Sequence, residues 1–359
     1  MKELQIGNLV AHYPIVQGGM GVGISLWSLA SAVANQGGIG VISSAGLGML
    51  HKNDNPIYTE ASIYGLRQEI RKAKANTQGI IGVNIMVALT NYADMVRTAI
   101  EEKADIIFSG AGLPLNLPSY LEQENKTKLV PIVSSARATR IICSNWNSKY
   151  NYYPDAIVLE GPKAGGHLGY KLNQINNPEY SIEHNLPLIL QELDSWKQKA
   201  GRDIPLIVGG GIYTGEDIYN IIKAGASAVQ MGTRFVTTQE CDASEEFKNS
   251  YIKATKEDIA IIESPVGMPG RAINNSFLEG VAKGEKHPKN CVCHCIKTCD
   301  SVNSPYCIML ALLNAYKGIV NDGFCFAGSN AYRATKITTV RALFEELIAE
   351  YNACNQANA

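Results

Sequence analysis

The chain has 359 residues, a formal net charge of −1 and 46% hydrophobic residues, enough apolar material for a large folded core. The near-neutral charge excludes nucleic acid and acidic membrane surfaces as main partners, because both require clustered positive charge. No apolar run approaches the ~20 residues that cross a bilayer, and Met1–Val10 lacks the apolar core of a signal peptide, so we expect a cytoplasmic protein without a membrane partner.

Eight short runs rich in Val and Ile occupy the first two-thirds of the chain. Continuous apolar runs bounded by Gly, Pro or Asp are typical of parallel strands that are covered on both faces. In chain order, the predicted strands are Pro14–Gln17, Ile39–Ser43, Ile80–Ile85, Asp105–Ser109, Leu129–Val133, Asp155–Leu159, Pro205–Val208 and Ala228–Met231. Amphipathic stretches between them predict helices at Ser28–Gln36, Ile63–Ala75, Asn91–Lys103, Ile182–Lys199 and Glu216–Ala224.

Strands that alternate with helices occur both in doubly wound sheets and in closed barrels. Eight repeats favour the barrel, since doubly wound sheets usually have fewer repeats before the chain ends. We therefore predict an α/β protein whose residues 1–236 form a (β/α)₈ TIM barrel.

The pattern changes after Phe235. Residues 237–324 are mainly polar or helical and include a turn segment at Ser264–Arg271. We predict that they form a mainly helical lid, inserted after the eighth strand. Residues 325–359 then return to the barrel and supply its last helix at Ala334–Tyr351.

Glycine-rich turns follow the seventh and eighth predicted strands, in Val208-Gly-Gly-Gly-Ile212 and Gln230-Met-Gly-Thr-Arg-Phe235. Glycine lets backbone N–H groups approach an oxyanion closely, because no Cβ stands in the way. In barrels of this type, the loops after these two strands commonly form a phosphate site. A tight strand-to-helix turn is the alternative for either motif, but the pair favours phosphate binding.

A third glycine-rich loop, Glu160-Gly-Pro-Lys-Ala-Gly-Gly-His-Leu-Gly169, follows the sixth predicted strand. It places His167 on the face where barrel loops build active sites. Histidine suits proton transfer near neutral pH, and the flanking glycines allow a loop that carries the ring over a flat cofactor. A solvated loop histidine is the alternative.

Two further motifs lie at strand ends. Gln17-Gly-Gly-Met-Gly21 brings bare backbone to the barrel mouth, and Asn84 ends the third predicted strand. An amide both donates and accepts hydrogen bonds, which suits a flavin edge or a phosphate. Alone, each is better explained as an ordinary turn or strand end.

The ordered set of motifs resembles the nitronate monooxygenase family, once called 2-nitropropane dioxygenases, and is similar to the related flavin-dependent enoyl-acyl-carrier-protein reductases. The resemblance runs from about Tyr13 to Phe235 and resumes weakly at 267–274. It rests on Pro14-Ile-Val-Gln-Gly-Gly-Met20, Gly37-Gly-Ile-Gly40, Gly82-Val-Asn84, Ala164-Gly-Gly-His167, Gly209-Gly-Gly-Ile212 and Gln230-Met-Gly-Thr233.

The resemblance implies non-covalently bound FMN and makes His167 the catalytic histidine. The residues that it implies in cofactor binding are Gly18, Gly19, Met20, Asn84, Glu160, Gly165, Gly210, Gly211 and, at the phosphate end, Gln230, Met231, Gly232 and Thr233. Glu160 stands where many members have glutamine, and a carboxylate donates no hydrogen bond unless it is protonated. Lys163 stands where many have glutamate, and a cation near His167 would favour the neutral imidazole.

Arg271, in Gly267-Met-Pro-Gly-Arg271, lies in the part of the lid that resembles the family weakly. One hypothesis is that its guanidinium holds an anionic substrate or braces a loop. The other is that it is a surface arginine beside a turn.

Nine cysteines are many for a cytoplasmic enzyme, and six lie between Cys291 and Cys325. The odd count and the absent secretory signal make a disulfide framework the weaker interpretation. A zinc or iron–sulfur site has enough soft ligands in Cys291, Cys293, Cys295 and Cys299, but the spacing fits neither a zinc ribbon nor a ferredoxin. We therefore favour free or redox-labile thiols and predict no metal.

Three functions remain open at this point. The first is oxidation of an alkyl nitronate by FMN and dioxygen to a carbonyl compound and nitrite. The second is reduction of an enoyl carbon–carbon double bond, or of a quinone, by NAD(P)H through the same FMN. The third is a flavin or thiol redox sensor, which the cysteines favour and the histidine loop does not. The sequence leaves a homo-oligomer open.

Overall fold

A computed structural model describes residues 1–51, 57–122, 124–286, 291, 293–300 and 302–357. The strands within these residues are β1 (Leu4–Ile6), β2 (Leu9–Ala11), β3 (Ile15–Gln17), β4 (Ile39–Ser43), β5 (Ile80–Met86), β6 (Ile106–Gly110), β7 (Lys128–Val133), β8 (Ile157–Glu160), β9 (Gly166–His167), β10 (Leu206–Gly209), β11 (Ala228–Met231), β12 (Ile259–Glu263) and β13 (Pro269–Ile273). Eight of them close a parallel barrel in the order β10-β11-β3-β4-β5-β6-β7-β8, which confirms the predicted (β/α)₈ barrel.

Helices surround the barrel and continue beyond it. Those in the described residues are α1 (Trp27–Asn35), α2 (Leu47–Leu50), α3 (Tyr58–Asn76), α4 (Tyr92–Glu101), α5 (Ala136–Tyr150), α6 (Ile182–Ala200), α7 (Gly215–Lys223), α8 (Thr233–Val236), α9 (Glu245–Lys253), α10 (Ser276–Ala282), α11 (Ile308–Tyr316) and α12 (Val340–Ala357). The sequence pattern did not predict α5, because its polar composition hides a narrow buried face of Thr139, Ile142, Cys143 and Trp146.

Side chains of the barrel strands divide between two apolar clusters. In β4, Ile39 and Val41 belong to the cluster inside the barrel, whereas Ile42 belongs to the cluster between the strands and the helices. This alternation is what a pleated strand imposes on a sheet with two buried faces. Gly40 faces α1, where its missing side chain lets the strand approach the helix backbone.

One end of the barrel is closed by the β1–β2 hairpin. Leu4 and Ile6 of β1 are buried in the same cluster as the interior residues Phe108 and Val158. The hairpin precedes β3, so it plugs the end where the strands begin. Access to the barrel is therefore from the carboxyl ends of the strands.

The region after β11 contains the predicted helices and also a sheet that we did not predict. The sheet is antiparallel, and its order is β12-β13-β9. Ser264–Arg271, interpreted as a turn segment, is in fact the tip of a hairpin and the first residues of β13. The pairing of Gly270 with His167 attaches this hairpin to the loop that follows β8. Among helices in the described ranges, none combines the length and apolarity needed to span a membrane.

Candidate active site

A cavity of about 520 Å³ opens at the carboxyl ends of the barrel strands. This is the face on which barrel enzymes build their active sites. All of the residues predicted to bind the cofactor line it, together with the predicted catalytic histidine: Gly18, Gly19, Met20, Asn84, Glu160, Gly165, His167, Gly210, Gly211, Gln230, Met231, Gly232 and Thr233.

Several of these glycines permit close approaches that a side chain would prevent. A Cβ on Gly19 would lie 2.3 Å from the Cβ of Asn84, and one on Gly165 would lie 2.6 Å from the backbone of Ala327 and Gly328. Gly210 has a φ of 109°, which disfavours any other residue. The glycines therefore form a cradle in which bare backbone faces the cavity.

The cradle carries unpaired hydrogen-bond donors. In the described part of the chain, the backbone N–H groups of Gly210, Gly211, Gly232 and Thr233 have no intramolecular acceptor. Grouped backbone donors of this kind suit a phosphate, since they supply positive charge without a side chain. The two glycine turns also lie on adjacent strands, because β10 pairs with β11.

The third side of the cradle comes from 327–330, which sequence analysis did not identify. The Gly328 N–H donates to the Thr233 hydroxyl oxygen at 3.3 Å, and the Asn330 side-chain amide donates to the Gly211 carbonyl at 2.6 Å. In the sequence, the only indication of this part of the site was the Gly-Ser-Asn triplet, which is just as typical of an ordinary turn as of a binding site. These bonds tie the returning chain to both glycine turns.

His167 lies in β9 and is held by the lid. Its Nε2 is 2.7 Å from the Ser264 hydroxyl, and its ring packs edge-on against Phe326 with centroids 4.9 Å apart. Burial lowers the pKa of His167 to about 4, so the imidazole is neutral near pH 7. The cause is burial and not the predicted repulsion by Lys163, whose side chain is exposed.

Glu160, the last residue of β8, places a carboxyl group in the same cavity. Burial raises its pKa to about 7, and its carboxyl has no hydrogen-bond donor among the residues that the structure describes. The Tyr170 hydroxyl donates to the Glu160 carbonyl at 2.6 Å, which fixes the backbone but leaves the carboxyl unpaired. A protonated Glu160 can donate a hydrogen bond as glutamine does.

Replacing Glu160 with glutamine is expected to stabilise the flavin-free protein at pH 8 but not at pH 5. In the folded state, the pKa of the Glu160 carboxyl is raised from 4.5 to about 7. The contribution of this carboxyl to the free energy of unfolding is therefore complete below pH 4.5 and is lost as the pH rises through 7. The variant avoids this loss, which we expect to be on the order of 2–3 kcal/mol. Urea unfolding at both pH values measures it, and an equal difference at pH 5 and pH 8 would contradict the assigned ionisation.

Arg271 lies next to the His167 loop but does not line the cavity. Its guanidinium donates from Nη1 to the carbonyls of Pro162 and Ala164, at 2.7 and 2.6 Å, and the residue is only 7% exposed. Of its predicted roles, the structure supports the brace for the loop, and the burial of the residue makes the surface position wrong. Contact with an anionic substrate stays a prediction.

The cysteine segment packs against the cavity wall from outside. Ile296, which follows Cys295, forms an antiparallel bridge with Leu89 in the loop after β5. Within the ranges that the structure describes, no group of three or more His, Cys, Asp or Glu side chains is arranged to hold a metal ion. The geometry thus gives no support to a metal site at Cys291, Cys293, Cys295 and Cys299.

The barrel and the position of its cavity place the protein among the (β/α)₈-barrel enzymes. Within that class, a family model described as nitronate monooxygenase matches residues 2–350. The chain therefore belongs to the nitronate monooxygenase family and is an oxidoreductase, as the ordered motifs predicted.

Three similar proteins illustrate how diverse the related chains are. A probable nitronate monooxygenase from Staphylococcus aureus is 27% identical over 298 residues, 77% of this chain and 79% of that protein. A (3aS,4S,5R,7aS)-5-hydroxy-7a-methyl-1-oxo-octahydro-1H-indene-4-carboxyl-CoA dehydrogenase from Mycobacterium tuberculosis is 26% identical over 275 residues, 77% of this chain and 67% of that protein. The structure of FabK from Thermotoga maritima superposes with a TM-score of 0.72 at 26% identity, covering 96% and 94% of the two chains.

Proposed function

We propose that the protein is an FMN-dependent oxidoreductase that oxidises alkyl nitronates, and the nitroalkanes from which they form, with dioxygen. The products are a carbonyl compound and nitrite. The observation that carries this proposal is a neutral imidazole, His167, that lines a glycine cradle rich in unpaired backbone donors. Bound FMN would supply an electron acceptor that dioxygen can reoxidise.

The chain's own residues fit FMN at both ends. The free N–H groups of Gly210, Gly211, Gly232 and Thr233 suit the phosphate, and a Cβ on Gly210 would come within 2.8 Å of the Gly161 carbonyl oxygen. At the other side, the bare backbone of Gly18 and Gly19 leaves room for a flat ring beside the Asn84 amide. Asn84 and Gln230 offer both donors and acceptors to the polar edges of the cofactor.

His167 is suited to act as a base. A neutral imidazole accepts the α-proton of a nitroalkane, whereas an imidazolium cannot. The Ser264 hydroxyl holds Nε2 at 2.7 Å and keeps the ring in one orientation. With a nitronate, which has already lost that proton, His167 would position the substrate instead.

The lid side of the cavity favours a second candidate, reduction of an acyl carbon–carbon double bond by NAD(P)H through the same cofactor. This wall is apolar and is lined by Met268, Ile296, Ile308, Met309, Leu312 and Phe326. Such a surface binds a hydrocarbon chain better than a small anion. The carboxyl-CoA dehydrogenase among the similar proteins is consistent with an acyl substrate.

Purified protein is expected to be yellow, and anaerobic mixing should separate the candidates. If nitronate oxidation is the function, a nitronate bleaches the flavin absorbance whereas NADH and NADPH do not. Rapid bleaching by a nicotinamide cofactor would instead establish the reductase. Protein that is colourless and does not take up added FMN would overturn both candidates.

A further inference from the structure

Lys163, in the loop after β8, is the only lysine or arginine among the described residues that line the cavity. The histidine of the cavity, His167, is neutral near pH 7, because burial lowers its pKa to about 4. Lys163 therefore brings to the cavity a full positive charge, and the proposed reaction does not use this charge.

The aliphatic stem of Lys163 lies along the glycine turn that follows β10. A Cβ on Gly211 would lie 2.9 Å from the Lys163 Cβ and 3.0 Å from its Cδ. The Gly211 N–H is one of the donors of this turn that have no acceptor in the described part of the chain. Because Nζ is only two bonds beyond Cδ, the ammonium group can reach an oxyanion that binds to this N–H.

The backbone around Lys163 is fixed, whereas its ammonium group is unpaired. Arg271 donates to the carbonyls of the two flanking residues, Pro162 and Ala164, at 2.7 and 2.6 Å. The Ser329 N–H donates to the carbonyl of Lys163 itself at 3.1 Å. The side chain is exposed, and across the described ranges its ammonium group has neither an ion pair nor a hydrogen bond. The cation is therefore held beside the turn and is available to a ligand.

We propose that the Lys163 ammonium group binds the phosphate of FMN and makes the chain select FMN over riboflavin. This inference rests on the cofactor of the proposed function but on neither of its candidate reactions. A phosphate monoester carries a charge of about −1.5 to −2 at pH 7, and backbone N–H groups offer it only partial positive charges. Lys163 adds a full charge, which riboflavin cannot use because its ribityl chain ends in a neutral hydroxyl.

Equilibrium dialysis of the full chain against FMN or against riboflavin tests this role. Lys163→Gln removes the charge and keeps part of the stem. Its Kd for FMN should rise about tenfold, the lower end for a hydrogen bond to a charged group, while its Kd for riboflavin should stay within about twofold of the wild type. Lys163→Arg should keep most of the preference for FMN. Lys171→Gln, the same change at an exposed lysine that does not line the cavity, is the matched control and should bind both flavins as the wild type does.

The salt dependence of FMN binding provides a second readout. Added salt screens an exposed ion pair, so an increase from about 0.05 to about 0.5 M NaCl should raise the Kd for FMN more in the wild type than in Lys163→Gln. An unchanged Kd for FMN in Lys163→Gln would overturn the assignment. So would an equal loss of affinity for FMN and riboflavin, because it would show only that the loop had been disturbed.

The dialysis needs no substrate, so its outcome can be separated from that of the proposed function. If Lys163→Gln loses affinity for FMN alone while no nitronate bleaches the flavin, the phosphate contact stands and nitronate oxidation fails. If a nitronate bleaches the flavin while Lys163→Gln binds FMN as the wild type does, the phosphate contact fails alone. A chain that binds neither flavin would overturn both.

Discussion

Replacing His167 with alanine is expected to slow oxidation of a neutral nitroalkane by about 10²–10⁴-fold, the usual contribution of a positioned base. FMN should stay bound, because the phosphate donors belong to the turns after β10 and β11 and not to β9. Steady-state turnover and a flavin absorbance titration measure the two quantities on the same preparation. His184→Ala, a change at an exposed histidine outside the cavity, serves as the control.

The pH dependence of the activity follows from the pKa of His167. Because burial lowers the pKa of His167 to about 4, the neutral imidazole persists through pH 5 to 8 and disappears only as the pH falls towards 4. Activity that depends on this base should therefore show no acidic limb near 6.5, the ordinary pKa of histidine. A limb at 6.5 that vanishes in the alanine variant would show a base exposed to water and would refute the buried geometry.

Replacing Gly40 with alanine is expected to destabilise the fold by about 3 kcal/mol or more, at the upper end for overpacked cores. The new Cβ would lie 1.8 Å from the carbonyl oxygen of Ala30 and 2.5 Å from its carbonyl carbon. Backbone atoms cannot rotate aside as a side chain can, so α1 must move away from β4. Chemical unfolding of the wild type and the variant measures the loss.

Gly201→Ala provides a matched control for this substitution. A Cβ at Gly201 meets no atom within 4 Å, but its φ of 66° disfavours alanine. We expect a cost of about 1 kcal/mol, from backbone strain alone. Equal losses in the two variants would mean that the contact between β4 and α1 is not as close as the structure has it.

The barrel was predictable because each strand carries its own signal. β4 and β11 begin and end at the residues predicted from the sequence, because continuous apolar runs mark strands that are buried on both faces. The glycine turns and the His167 loop followed from the same reasoning, because they come directly after predicted strands. Local pattern therefore sufficed for the barrel and for the position of the site, whereas the individual cofactor-binding residues were implied by the resemblance to the family.

The lid was harder because its structure depends on distant partners. β13 begins with proline and contains glycine, and it is a strand only through pairing with β12 and with the short β9. No periodicity in the sequence indicates a partner strand that lies so far away along the chain. Arg271 illustrates the same limit, since its role as a brace depends on two carbonyl groups of the loop after β8, which lie more than 100 positions earlier in the chain.

The antiparallel pairing of Gly270 with His167 joins the lid to the residue that we propose as the base. Exchanging this insertion for that of another family member would replace both the apolar wall of the cavity and the lid hydroxyl that contacts the imidazole of His167. Selectivity and proton transfer would change together. A graft that keeps the host's hairpin, Ile259–Ile273, and swaps only the helices behind it is the route to altering one without the other.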